Sequence, residues 1–406
     1  MTADENSAET RGPDFRGRVH AVVHGVAYGD AMGAPVEKLS AAEIRERYGR
    51  VTSLRTEWHR TGQSEQARQG RIRGHGIVTD DTGMTLALMR IYGRERRHLD
   101  AWDMGTGMVR EITWERHWVP ELQREAALIE RLFYPEKWIF QRHQLSGCDP
   151  RQGGVGNMVN CGAAMYIAPV GVVNAGDPQR AYDEAIAFAM GHQQSYGLEA
   201  AGVLSAAIAQ AFVPGTTLDQ VIRTAHDLAH DGTRSAIAAI VEIAETLAAK
   251  GAGPDEVTAA FHTAIAPFSP MGDDLVHTPE KAGRASNAYQ PSRLLSIEEL
   301  PLALGFCLTA GGNFKQAVED GINSGRDTDS IGVMAGAILG ALHGPSVIDP
   351  EDAALLDDAN RLQLGAAADH FTDAALAIQA NDAASAKAIL AARRALSNPA
   401  KDKAAE

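Results

Sequence analysis

The sequence predicts an all-α protein, a compact single-domain orthogonal bundle of helices. Three observations carry that prediction. Apolar residues recur at helical spacing over long stretches of the chain. Breaks such as Pro214-Gly215 and Asp231-Gly232 separate those stretches cleanly. Alternating Val/Ile/Tyr runs bounded by hairpin turns, the signature of strands, are absent. The 406 residues, 45% hydrophobic and 22% charged, have globular proportions and suffice for one large domain or two smaller ones. No short-period repeat is present.

Taken in order, residues 1–15 are polar and expected to be disordered, 16–396 form the helical domain, and 397–406 are a flexible tail. Arg18 to Met32 reads as a buried helix with Val19, Val22, Val23, Val26 and Ala27 on its apolar face. Gly25, Gly29 and Gly33 recur every four residues there, a spacing that lets another backbone approach closely. Residues 55–76, with many Arg, Gln and Gly, read as an irregular loop ending where a helix from Gly83 to Tyr92 opens. Residues 100–140 hold Trp102, Trp114, Trp118 and Trp138, four of the five tryptophans, and suggest aromatic packing within a helical insertion. Helical patterns follow at 181–213, 218–230 and 234–250. Beyond a polar loop at 271–293 come helices near 297–310, 313–323 and 329–342, then an Ala-rich pair over 351–396. Gly336 and Gly340 share one helical face.

Composition excludes several classes of function. A formal net charge of −14 argues against a nucleic-acid partner, which needs a basic surface. An anionic substrate stays open, because a bound metal reverses the local field. Cys148, Cys161 and Cys307 stand far apart without CxxC spacing, so neither a disulfide framework nor a zinc site is expected. The N-terminal residues lack an apolar segment of secretory type, and no apolar stretch approaches membrane-spanning length. A soluble, cytoplasmic protein without a membrane partner is expected.

Two short acidic motifs carry the chemistry. Thr79-Asp80-Asp81-Thr82 and Asp327-Thr328-Asp329-Ser330 each place two carboxylates beside hydroxyls at the start of an apolar, helix-like run. A single Asp there is an ordinary helix cap. Two such doublets are not. Clustered carboxylates repel, and burying them is costly unless a cation neutralises them. Hard oxygen donors suit magnesium or manganese rather than zinc. The expectation is that folding brings the motifs together around a divalent, two-metal site.

At this point the chain resembles the ADP-ribosylglycohydrolase family. The resemblance spans roughly 18–345 and rests on four segments in family order. They are His24 to Glu37 (HGVAYGDAMGAPVE) and Thr79 to Leu88 (TDDTGMTLAL). The third is Gly153 to Asn157 (GGVGN) with Asn160 to Met165 (NCGAAM). The fourth is Gly311 to Phe314 (GGNF) with Asn323 to Gly332 (NSGRDTDSIG). The resemblance implies an all-helical fold with a binuclear magnesium centre, manganese being an alternative. It implies cleavage of the N- or O-glycosidic bond at the anomeric carbon of an ADP-ribosyl group. The implied ligands are Thr79, Asp80, Asp81, Asp327, Asp329 and Ser330, and the implied catalytic carboxylates are Glu37 and Asp81. Gly154, Gly156, Asn157 and Asn160 would cradle ribose and diphosphate through backbone N–H groups, with His192 and Arg326 as further pocket candidates.

Three departures bear on the substrate. Tyr166 stands where the family has Arg, the Asn-to-Gly spacing of the third segment is altered so that Asn157 and Asn160 both stay open as the family asparagine, and Arg326 stands where the family often has Gly. Three functions remain open at this stage. One is an ADP-ribosyl hydrolase acting on a modified protein or an ADP-ribose conjugate. The second is a hydrolase of a smaller ribosyl compound or nucleoside. The third is a catalytically silent relative that binds metal or ligand.

Overall fold

A computed structural model describes residues 14–158, 160–268 and 297–397 of the protein. The expected 271–293 loop, the tail beyond Ser397 and the terminus up to residue 13 lie outside the described residues. In chain order the longer helices are α1 (Phe15–Gly33), α2 (Ala41–Tyr48), α3 (Asp80–Glu95), α4 (Tyr134–Ser146), α5 (Pro178–Ala189), α6 (Ser195–Ala211), α7 (Leu218–Leu228), α8 (Asp231–Lys250), α9 (Pro254–Ile265), α10 (Glu299–Thr309), α11 (Phe314–Asn323), α12 (Thr328–His343), α13 (Pro350–Asn360) and α14 (Leu364–Ser397). The expected all-α class holds. The expected helix over 181–213 is two helices, because Gly191 to Gln194 break it.

One expectation fails locally. Residues 100–140 contain an antiparallel hairpin, β1 (Arg116–Val119) paired with β2 (Arg124–Ala127). Each strand has four residues and a largely solvated face, too short for alternation to stand out. Nor do the tryptophans pack together. Trp102, Trp114 and Trp138 are exposed, and Trp118 lies under the Arg361 guanidinium at 3.8 Å. No described helix is long and apolar enough to cross a membrane.

At the centre, α1 and α12 pack backbone against backbone. Both are buried around almost their whole circumference, so neither shows strong amphipathic periodicity. Glycines make the approach possible. A methyl at Gly25 would overlap the Gly336 carbonyl, one at Gly29 the Gly332 carbonyl, and one at Gly33 the Asp329 backbone. The four-residue glycine spacing of α1 therefore meets Gly332 and Gly336 of α12 in register. The third contact places the start of α12, and with it Asp329, against the end of α1.

This contact leaves a clear expectation. Gly29→Ala forces a methyl into backbone that has no rotamer to yield, and should destabilise by about 3 kcal/mol, the upper end of ordinary overpacking. Gly93→Ala on α3 meets open space in a helix and should stabilise by about 0.5–1 kcal/mol. Urea unfolding of the two variants measures the contrast. Equal midpoints would contradict the close-packed seam.

Candidate functional site

Asp30 lies in the last turn of α1 and is fully buried. Its carboxylate accepts the Thr79 N–H (3.0 and 2.9 Å to the two oxygens), the Thr82 N–H (3.1 Å) and the Thr82 hydroxyl (2.6 Å). Asp30 thus caps α3 from another helix. Thr79, at the N-cap position, makes no side-chain cap bond of its own, and its hydroxyl turns to Asp81 Oδ2 at 3.3 Å. Asp80 and Asp81 fall in the first turn, where the helix dipole favours negative charge.

The second motif is set by a backbone exchange. The Lys38 N–H donates to the Arg326 carbonyl and the Arg326 N–H to the Leu39 carbonyl, both at 2.9 Å. Gly325 and Arg326 adopt positive φ, 79° and 74°. A side chain at Gly325 would strike the Leu39 carbonyl. Arg at the next position carries left-handed strain of about 1–3 kcal/mol, which explains why glycine suits it elsewhere in such a motif. The exchange holds the Glu37–Lys38 segment beside Asp327. The Thr328 hydroxyl bonds the Gly33 carbonyl at 2.9 Å. The Ser330 hydroxyl bonds Asp81 Oδ1 at 3.2 Å, joining motifs 249 positions apart. Carboxylate oxygens of Glu37, Asp327 and Asp329 lie within 4.8 Å of one another.

These groups line a solvent-connected cavity of about 110 Å³. Seven carboxylates face it: Glu37, Asp80, Asp81, Glu298, Glu299, Asp327 and Asp329. Five cations answer them: Lys38, Arg71, Arg73, Arg131 and Arg326. Arg73 pairs with Glu37 and with Glu121 (2.6 Å), and Arg131 pairs with Asp80 and Glu121. Arg326 pairs with Glu298 at 2.8 Å and Lys38 with Glu37 at 3.1 Å. The charges divide the carboxylates. Burial would raise Glu37, but Lys38 and Arg73 outweigh it and hold the group well below the ordinary carboxylate range. Burial pushes Asp81 well up, and the charges of Asp30, Asp80 and Asp327 push it further. Asp329 rises for the same reasons, through burial, Glu37, Asp81 and Asp327.

The chain matches the ADP-ribosylglycohydrolase family over residues 11–384. It belongs to that family. It is similar to the uncharacterized protein YegU of Escherichia coli (strain K12), with 25% identity over 354 residues, covering 85% of this chain and 93% of YegU. Its fold is similar to that of a chain from an ADP-ribosylglycohydrolase-related protein complex. That likeness has a TM-score of 0.55 at 18% identity and covers 89% of this chain and 99% of the other.

Membership in this family makes the placement of each expected residue informative. The cavity receives Glu37, Asp80, Asp81, Asp327, Asp329, Ser330, Asn160 and Arg326. Thr79 stands behind Asp81. Gly154, Gly156, Asn157 and His192 are not among the cavity-lining residues. Gly154 packs against the Gln193 backbone, and Asn157 Nδ2 bonds the His192 carbonyl at 3.0 Å. His192 is buried between the Phe140 and Tyr166 rings, and burial lowers it to about 3, so it stays neutral. The Asn160 amide makes three bonds: Nδ2 donates to Glu136 (2.6 Å), and Oδ1 accepts from the Gly162 N–H and Gln193 Nε2, both at 3.1 Å. Tyr166 is buried and is not a cavity-lining residue, its hydroxyl bonded to His192 Nδ1 at 2.8 Å.

Sequence reasoning missed Asp30, Glu121, Arg73 and Arg131. The only signal for Asp30 was a carboxylate inside an apolar helical stretch. Glu121 lies in the turn of a hairpin that periodicity did not show, and Arg131 lies just beyond it.

The donors fit a hard divalent cation. Asp81 is buried and, among the described residues, makes no ion pair and has only the Thr79 and Ser330 hydroxyls as side-chain partners. A buried anion so placed is unfavourable unless it protonates or meets a cation. Asp81, Asp327, Asp329 and Ser330 offer oxygen donors for magnesium. Asp80 joins them if Arg131 gives way. The sign of the pH dependence follows. Stability contributed by Asp81 and Asp329 is fully present below their ordinary value of 3.8 and is lost as pH rises through their raised folded values. Metal-free protein should therefore melt lower at pH 8 than at pH 6. Asp81→Asn should shrink that gap and also shrink the gain on adding magnesium. A thermal scan across pH with and without magnesium measures both, and an unchanged gap would contradict the assignment.

Proposed function

We propose that this protein is a magnesium-dependent hydrolase that cleaves the N- or O-glycosidic bond to the ribose of an ADP-ribosyl group. Family membership supports a glycohydrolase. The observation that carries the finer reading is the Ser330–Asp81 hydrogen bond, which seats both acidic motifs on one cavity beside Glu37. Cleavage at an anomeric carbon passes through an oxocarbenium-like state. Asp81, Asp327 and Asp329 present negative charge where that positive charge develops. Magnesium, when bound, supplies charge for holding the ribose hydroxyls and acidifies a water. Asp81, Asp327, Asp329 and Ser330 would hold it, joined by Asp80 if Arg131 gives way.

Glu37 stays ionised under Arg73 and Lys38, which makes it a weak base. Its place beside Asp327 and Asp329 suits it to orient the attacking water. Glu121, shared between Arg73 and Arg131, keeps both guanidiniums aimed at the carboxylate wall.

Product assays with ADP-ribosyl-arginine, ADP-ribosyl-serine, O-acetyl-ADP-ribose and free nucleosides, with and without magnesium, test the reading. Magnesium-dependent release of ADP-ribose from one of the first three is expected. Turnover of nucleosides alone would point to the smaller ribosyl substrate, and no turnover to a silent relative. Within the active pair, Glu37→Gln should retain the magnesium-induced rise in melting temperature and lose kcat by about 10²–10⁴-fold. Parent-like kcat in that variant would remove Glu37 from the mechanism.

A further inference from the structure

Among the five cations of the cavity, four have a carboxylate partner. Arg71 does not. Its Nη2 donates to the Arg131 carbonyl at 2.7 Å, its Nε is buried without a hydrogen-bond partner, and it makes no ion pair among the described residues. The two carboxylates of its own wall, Asp80 and Glu37, are engaged by Arg131 and Arg73. A guanidinium does not deprotonate in a protein, so Arg71 is a half-buried charge with no ion-pair partner among the described residues. Its backbone is fixed as well, because the adjacent Ile72 N–H donates to the Glu121 carbonyl at 2.8 Å and Arg73 is clamped to Glu121. A positioned, partly desolvated guanidinium with donors to spare suits an oxyanion.

We propose that Arg71 binds the phosphate oxygens of the substrate and so distinguishes a nucleoside-diphosphate-linked ribose from a neutral ribosyl compound. The assignment rests on the ribosyl-hydrolase reading above and deepens it. The sequence resemblance gives phosphate recognition to the Gly153–Asn157 segment, but Gly154, Gly156 and Asn157 are not cavity-lining residues here. Arg71 lines the same cavity as Lys38, Asp327 and Asp329. A ribose held at the acidic motifs would then leave its 5′ substituent in a cavity that also holds a cation with an unused donor.

The test is calorimetric binding to the full chain at fixed free magnesium, with three probes: ADP-ribose, inorganic diphosphate and adenosine. Arg71→Ala should weaken ADP-ribose and diphosphate at least tenfold and leave adenosine unchanged. Arg71→Lys, which keeps the charge and loses the fork, should fall between. The Arg71→Ala melting temperature should equal or exceed the parent's, since an unpaired buried charge is removed. Parent-like affinity of Arg71→Ala for both anions overturns the proposal, as does an equal loss for adenosine, which would mark a structural role. If the parent binds diphosphate through Arg71 but not ADP-ribose, the anion site stands and the ADP-ribosyl reading falls. If the parent binds neither anion, both fall.

Discussion

The contact between α1 and α12 fixes the position of everything else in the site. Glycine on both helices brings the backbones together, so the crossing cannot slide without driving carbonyls into each other. Gly33 ends the seam against the Asp329 backbone, and the Thr328 hydroxyl ties that end to the Gly33 carbonyl. One turn earlier on α1, Asp30 takes the N–H groups of Thr79 and Thr82. A single helix thus sets the start of both α3 and α12. The two acidic motifs meet because α1 holds each of them, not because they are near in the chain.

Electrostatics supplies the second half of the account. Carboxylates this close destabilise one another when ionised, and burial adds to the penalty. The protein answers part of that charge with its own arginines and leaves Asp81 without an ion pair among the described residues. Such an arrangement holds less stability than an apolar core of the same volume. It also keeps charge, already oriented, at the place where a cation and a developing positive centre are to be bound.

Much of this was legible in the sequence, for reasons that can be named. The helices showed through apolar spacing, and the four-residue glycine pattern correctly announced a close backbone approach. The doublets Asp80-Asp81 and Asp327/Asp329 stood out because two of them, each with hydroxyls, exceed what capping needs. The ligand wall was less legible. Arg71 and Arg73 sit in a loop without periodicity, so nothing local marked them as facing Glu37 and Asp80. Glu121 and Arg131 depend on a hairpin of four-residue strands. His192, at the end of a helical run, and Tyr166, in place of a family Arg, could not be located from sequence, and their rings pair with each other in the core. Helix α2 carries a capping box, Ser40 with Glu43, as its one local signal.

The central claim is that the two acidic motifs form one cation-binding centre. Anomalous diffraction from crystals grown with manganese tests it most directly. The account predicts anomalous peaks bounded by Asp81, Asp327, Asp329 and Ser330, with Arg131 drawn away from Asp80. Manganese-saturated crystals with no peak in this cavity, and with Arg131 and Arg73 still paired to Asp80 and Glu37, would contradict it.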